Sequence, residues 1–196
     1  MTTEIPVTQE TPAAARRRFR LDRRALVLTV ITLIVLLGAG FIWLLFQPAS
    51  GPVIAPGVPV GAAAPDFTLR SPQGQRYTLS VLRGHPVILN FWASYCEPCR
   101  QEAPMLERTY QQYHSDGLMM LGINQQEDMG TIREFGSEYG ITYPLLFDGD
   151  MQVGSVYGAT PLPRTYFVDA RGIVRFVSIG ELTPQTLQQG LRSIGL

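Results

Sequence analysis

Apolar residues fall along this chain in three rhythms, each predicting a different kind of element. The first is unbroken: residues 25–46, ALVLTVITLIVLLGAGFIWLLF, carry no charge. As a helix rising about 1.5 Å per residue they span ~33 Å, against about 30 Å for a hydrocarbon core. The second is the short apolar run rich in strand formers, PVILNFWA at 86–93 and GLMMLGIN at 117–124; such runs predict strands covered on both faces. The third is alternation. DFTLRSPQGQRYTLS at 66–80 alternates on either side of an SPQGQ turn, and TYFVDARGIVRFVSIG at 165–180 does so around Asp169 and Gly172, so both predict hairpins. YPLLFD at 143–148 reads as a short strand.

Helical spacing fills the gaps. It runs from Glu97 to about His114 with Pro104 inside as a kink, then over 129–140 to a stop at Gly140. It returns briefly at 151–158 and again after Thr183, an N-cap followed by Pro184 at the first helical position. Strand, helix, strand, helix, strand, hairpin and terminal helix describe an α/β sandwich around a mixed sheet. Before it, Pro48, Pro52, Pro56, Pro59 and Pro65 favour extended backbone, a semi-rigid tether rising about 3.1 Å per residue. The expected organisation is an Arg-rich N-terminus (1–24), a transmembrane anchor (25–46), a Pro-rich tether (47–64) and a folded domain (65–196).

Charge sharpens the topology. Sixteen basic residues balance sixteen acids over 196 residues. Arg16, Arg17, Arg18, Arg20, Arg23 and Arg24 nevertheless cluster before the apolar run, while the chain beyond it is mildly acidic. Arg on that flank stays in the cytoplasm, so the expected protein is single-pass in the cell membrane, its N-terminus cytoplasmic and its domain extracytoplasmic. A cleavable signal has an apolar region of about 7–15 residues, shorter than this run. A domain without a basic stripe is not expected to bind nucleic acid.

The only cysteines, Cys96 and Cys99, stand in NFWASYCEPCRQEAP, where a buried strand predicts its turn into a helix. A structural zinc needs four ligands, and His85 and His114 stand at spacings unlike any paired-ligand motif, so no metal is expected. A permanent staple across so short a loop restrains little of the unfolded chain. A redox pair has positive physics behind it. At a helix start Cys96 lies over unpaired N–H groups that favour thiolate, and Cys99 lies one turn on, on the same face. Cys96 would attack a client disulfide and Cys99 would resolve the mixed disulfide. Pro98 stiffens the turn, while Glu97 and Glu102 oppose the thiolate. Cys96 is therefore expected to be less acidic than in strongly oxidising thiol proteins; a titration giving about 3.5–4 would refute that.

These residues resemble the active-site segment of the thioredoxin superfamily, and more closely the membrane-anchored TlpA/ResA/CcmG (DsbE)-type thiol–disulfide oxidoreductases. The resemblance covers residues 60–196. It implies a thioredoxin-like fold, a mixed central sheet flanked by helices, with an N-terminal β-hairpin and one transmembrane helix before it. In PLPRTYFVD, Pro163 takes the family's cis-proline position and Leu162 would present backbone to a client chain. Two positions depart from the pattern. Pro161 replaces a common Gly and is a second cis candidate, and Arg164 replaces a common Thr and would add positive charge near the thiols. Asn90 stands where cytoplasmic thioredoxins have a buried Asp, and Glu102 matches an acidic residue of the TlpA/ResA branch that would handle the Cys99 proton; its other reading is a solvated glutamate in the first turns of the helix. Trp92 and Tyr95 would wall the cysteine pair, with Glu97 tuning it.

The resemblance further implies a reducing role toward clients with oxidised cysteines, such as the haem-attachment pair of apocytochrome c. It implies a membrane reductase of the DsbD/CcdA type as electron source, and no cofactor beyond the cysteine pair. Two alternatives are a peroxiredoxin-like peroxidase, whose Pro-x-x-x-Thr-x-x-Cys context is missing here, and a copper chaperone, which has CxxxC and a later His.

Overall fold

The computed structural model describes residues 23–45 and 57–196, which fall in two units. Arg16, Arg17, Arg18 and Arg20, Phe46 and the tether residues 47–56 lie outside the described residues.

The first unit contains one described element, helix α1 (Arg23–Leu45), within one residue of the apolar run at its C-terminal end. Its apolar surface is not turned to one side: Leu28, Ile34, Leu37 and Trp43 are all well exposed. The hydroxyls of Thr29 and Thr32 donate back to the Leu26 and Leu28 carbonyls, each at 2.8 Å, so even its polar side chains return to the helix backbone. Residues 26–43 are long and apolar enough to cross a membrane.

The second unit is built on one seven-stranded sheet in the order β2-β1-β5-β4-β3-β6-β7. The predicted N-terminal hairpin is β1 (Thr68–Arg70) with β2 (Arg76–Thr78), in antiparallel register Leu69 to Tyr77. Strand β3 (Val87–Trp92) is buried at every position and lies inside the sheet between β4 and β6. It runs parallel to β4 (Met119–Gln125), which runs parallel to β5 (Leu145–Asp148). On its other side β3 pairs antiparallel with β6 (Arg164–Val168), and β6 with β7 (Val174–Ile179). The helices are α2 (Glu97–Tyr113), α3 (Met129–Glu138), the short α4 (Gln152–Val156) and α5 (Pro184–Ser193), with Pro104 inside α2 and Thr183 capping α5 as predicted.

Two apolar clusters cover the two faces of the sheet. Ile88, Trp92 and Phe167 join α2, α3 and α5 residues on one face; Leu89, Phe91, Tyr166 and Val168 join Phe67, Val58 and Tyr157 on the other. Successive strand residues alternate between them, as a fully covered strand requires.

The domain begins earlier than its composition indicates. The Gly61 N–H donates to the Val174 carbonyl and the Val174 N–H to the Ala62 carbonyl, at 2.8 and 2.9 Å. Ala63 bridges Ile173, and Val58 and Ala64 are buried. Residues 57–64, expected as tether, are therefore a packed edge of the domain: two proline-flanked apolar residues found a core to enter.

Candidate active site

Strand β3 ends at Trp92, and the chain turns through residues 93–95 before Cys96 caps α2. Cys96 has extended backbone and Pro98 sits in the first turn, where its missing N–H costs no helix hydrogen bond. Cys96 and Cys99 are joined as a disulfide with Cα atoms 5.2 Å apart, and the Cys99 N–H lies 3.3 Å from Cys96 Sγ. Cys96 is 9% exposed and Cys99 2%, so the first sulfur is the one within reach of solvent.

The turn before Cys96 is held from the neighbouring strand. Glu127, just past β4, accepts the Ser94 N–H at 2.7 Å and the Ser94 hydroxyl, and it also accepts from Asn124 Nδ2. Sequence reading passes over Glu127, since nothing in NQQED marks a residue that reaches 33 positions back.

Below the pair, Glu102 is 2% exposed, which excludes its reading as a solvated helix-surface glutamate. One carboxylate oxygen accepts from Asn90 Nδ2 at 2.7 Å, the other from the Leu182 N–H at 2.9 Å. Asn90 Nδ2 also reaches Thr165 Oγ1 at 3.0 Å. Burial raises the Glu102 carboxyl from 4.5 to about 7, against the pull of the Leu182 and Asn90 donors and with a push from Glu181. Both oxygens are engaged by these donors, so Glu102 meets Cys99 only as a neighbour one turn along the same buried helix face.

Above the pair, both candidate cis bonds are cis: Thr160–Pro161 and Leu162–Pro163. Pro163 is buried, and its carbonyl accepts from the Gly180 N–H at 2.9 Å. An open cavity of about 380 Å³ lies beside Cys96, bordered by Tyr95, Pro98, Met151, Thr160 and Leu162. Tyr95, 68% exposed, stands at its rim. A larger groove of about 610 Å³ lies between the hairpin and α3, with no cysteine on its border; it belongs to a different part of the surface.

Two expectations change, those for Trp92 and Arg164. Trp92 is not a wall open to a client: it is buried and stacked on Phe135 at 4.1 Å, because β3 turns it into the α3 side of the core. Glu97 faces solvent, where its carboxylate accepts from Gln101 Nε2 at 3.2 Å and lies 3.9 Å from Arg100 Nε. Arg164 does not bring positive charge to the thiols. Thr165 meets Asn90 on the cysteine face, which sends Arg164 and Tyr166 to the opposite face. There the buried Arg164 guanidinium donates to the Tyr157 and Gly158 carbonyls.

This arrangement supports dithiol–disulfide exchange: an accessible sulfur at a helix start, a buried partner bonded to it, and an open cavity alongside. Comparison with known proteins agrees. The AhpC/TSA family model matches residues 60–177. Thiol-disulfide oxidoreductase ResA of Geobacillus thermodenitrificans is 34% identical over 174 residues, covering 88% of this chain and 97% of that protein. ResA of Bacillus subtilis is 34% identical over 134 residues, covering 68% of this chain and 75% of that one. Among solved structures, one assigned to a thiol:disulfide interchange protein DsbE from Chlorobium tepidum superposes with a TM-score of 0.65 at 29% identity, covering 70% of this chain and 99% of that one. With its fold, its bonded cysteine pair and these relatives, the chain belongs to the AhpC/TSA family and, within it, to the thiol–disulfide oxidoreductases of the ResA/DsbE type.

Proposed function

We propose that this oxidoreductase works in the reducing direction on the extracytoplasmic side of the cell membrane, held there by α1 and the residues that follow it. Its clients are proteins with oxidised cysteine pairs, apocytochrome c during cytochrome c maturation being the case the family resemblance implies. A membrane thiol reductase of the DsbD/CcdA type resupplies it. The observation that carries this reading is the Cys96–Cys99 disulfide at the start of α2, with buried Glu102 beneath it.

The chemistry runs in two exchanges. The Cys96 thiolate attacks one sulfur of the client disulfide, and the other client sulfur leaves as a thiolate that takes up a proton. Cys99, deprotonated, then attacks Cys96 Sγ in the mixed disulfide. The second client sulfur departs and is protonated, and the Cys96–Cys99 bond is restored. Two electrons and two protons pass to the client. Cys96 has a backbone N–H at its sulfur and a helix start beneath it, both favouring the thiolate. Glu102, whose carboxyl is raised to about 7, is poised to accept the Cys99 proton near neutral pH, one helical turn away. Leu162 and Pro163 present the backbone against which the client chain lies, while Tyr95 and Pro98 border the place its cysteine enters.

Direction is tested by equilibrating the full chain in detergent with glutathione redox buffers. A reducing role predicts a potential at or below about −270 mV, and a value above about −180 mV would overturn it. In the same preparation the reduced chain is expected to convert a peptide with an internal Cys-x-x-Cys-His disulfide to its dithiol.

A further inference from the structure

Arg164 is an unusual residue to bury in a strand, and its surroundings give it a task. Its guanidinium ends on the carbonyls of Tyr157 and Gly158, and the Tyr166 hydroxyl also donates to the Tyr157 carbonyl. These carbonyls close α4 and open loop 158–163, the segment that supplies Ala159, Thr160 and Leu162 to the cavity beside Cys96. At the other end of the loop the Gly180 N–H holds the Pro163 carbonyl. The entrance of the loop is therefore fixed by donors from β6, on the sheet face away from the cysteines.

A second contact bears on the same point. Gly57 lies against this cluster so closely that a Cβ there would fall 2.6 Å from the Tyr157 carbonyl oxygen and 2.7 Å from Arg164 Nη1, and nearer still to Tyr166 Oη. Real Cβ atoms do not approach that closely, so the absence of a side chain at Gly57 lets the start of the domain close over Arg164, the anchor of loop 158–163.

We propose that Arg164 is a positioning residue for client capture: with Gly57 seated over it, it fixes the entrance of loop 158–163 and thereby the shape of the cavity beside Cys96. It acts through the loop and touches neither sulfur. The proposal rests on the reading of that cavity as the client site. It predicts that disturbing either residue loosens the loop and weakens client binding while the chemistry of Cys96 persists.

The test uses the full chain in detergent, unsubstituted and as Arg164→Met, Arg164→Lys and Gly57→Ala. Amide hydrogen exchange at Gly158 and Ala159, whose N–H groups donate to the Ser155 and Gly154 carbonyls at 3.2 and 2.7 Å, reads the loop without any client. Turnover of the oxidised Cys-x-x-Cys-His peptide, with dithiothreitol re-reducing the Cys96–Cys99 pair and the peptide's direct reduction by it subtracted, reads capture. Arg164→Met and Gly57→Ala are expected to speed exchange at both amides about tenfold and to raise KM about tenfold with kcat within about twofold. Arg164→Lys, which keeps a cationic donor, is expected to recover part of both. If Arg164→Met does not fold, Gly57→Ala decides. Unchanged amide exchange overturns the proposal, as does faster exchange with an unchanged KM, or a fall in kcat alone. Should the unsubstituted chain leave the peptide oxidised, the client reading fails instead, and the amide exchange still judges the anchor.

Discussion

Glu102 shows what one residue's surroundings decide. Sequence offers a glutamate three positions after a cysteine, and nothing local says whether water reaches it. Its burial comes from Asn90, 12 positions upstream, and Leu182, 80 downstream, meeting over α2. The consequence for stability has a definite sign. The folded protein holds this proton up to about 7, whereas the ordinary value is 4.5. Glu102 therefore favours folding fully below the lower value, and that contribution is lost as pH rises through the higher one. At about 1.4 kcal/mol per unit the loss approaches ~3 kcal/mol. Glu102→Gln, neutral throughout, is expected to remove the slope; denaturant titration of the oxidised chain at pH 5 and pH 8 checks it, and equal slopes in both proteins would refute it. The same substitution should remove an inflection near neutral pH from the rate at which Cys99 resolves a mixed disulfide. Arg164 carries a related lesson. Strand alternation fixes that it opposes Thr165, but only the Asn90–Thr165 contact tells which of the two faces the cysteines.

Elements were the most legible scale, because each rests on a pattern longer than one residue. Strand β3 announces itself by continuous apolarity, and α5 by its cap. The hairpin of β6 and β7 was visible in its alternation and its turn, and the structure adds what holds that turn. Asp169 accepts the Arg171 and Ile173 N–H groups at 3.0 and 2.9 Å and pairs with Arg175 at 2.7 Å. Partial burial pushes its carboxyl up, but the Ile173 N–H and the Arg175 and Arg171 guanidiniums outweigh that and hold it down at about 2. A lowered carboxyl stabilises above its ordinary value and loses that contribution as pH falls, here from 3.8 toward about 2. Asp169→Asn should cost about 1 kcal/mol at neutral pH after allowance for solvent screening. Less should be lost at pH 3, and thermal melts at the two pH values measure the difference. Trp92 makes the opposite case: motif context marked it for the client, while packing on Phe135 gave it to the core. Trp92→Ala is expected to cost about 3–5 kcal/mol.

At the scale of the whole chain, composition located the N-terminal apolar helix well and the start of the packed domain poorly. The apolar run and α1 nearly coincide, since length and lack of charge are sufficient signals for such a helix. The proline-rich stretch hid the packing of residues 57–64, because extended segments that dock by three backbone hydrogen bonds and a few apolar side chains leave no periodic trace. A chain started at Gly57 should therefore fold, while one started at Pro65 gives up the buried Val58 and Ala64 and the strand-like bonds to Val174. Losing a buried valine alone costs about 1.5–3 kcal/mol, so the shorter chain is expected to melt several degrees lower; equal melting temperatures would place the boundary back at 65. The proposed chemistry turns on a division of labour between two sulfurs. The most direct measurement introduces Cys99→Ser and, separately, Cys96→Ser into the full chain in its membrane, followed by mass spectrometry of disulfide-linked products. Adducts through Cys96 in the first protein and none through Cys99 in the second are the predicted result. Equal capture by both, or none by Cys96, would contradict it.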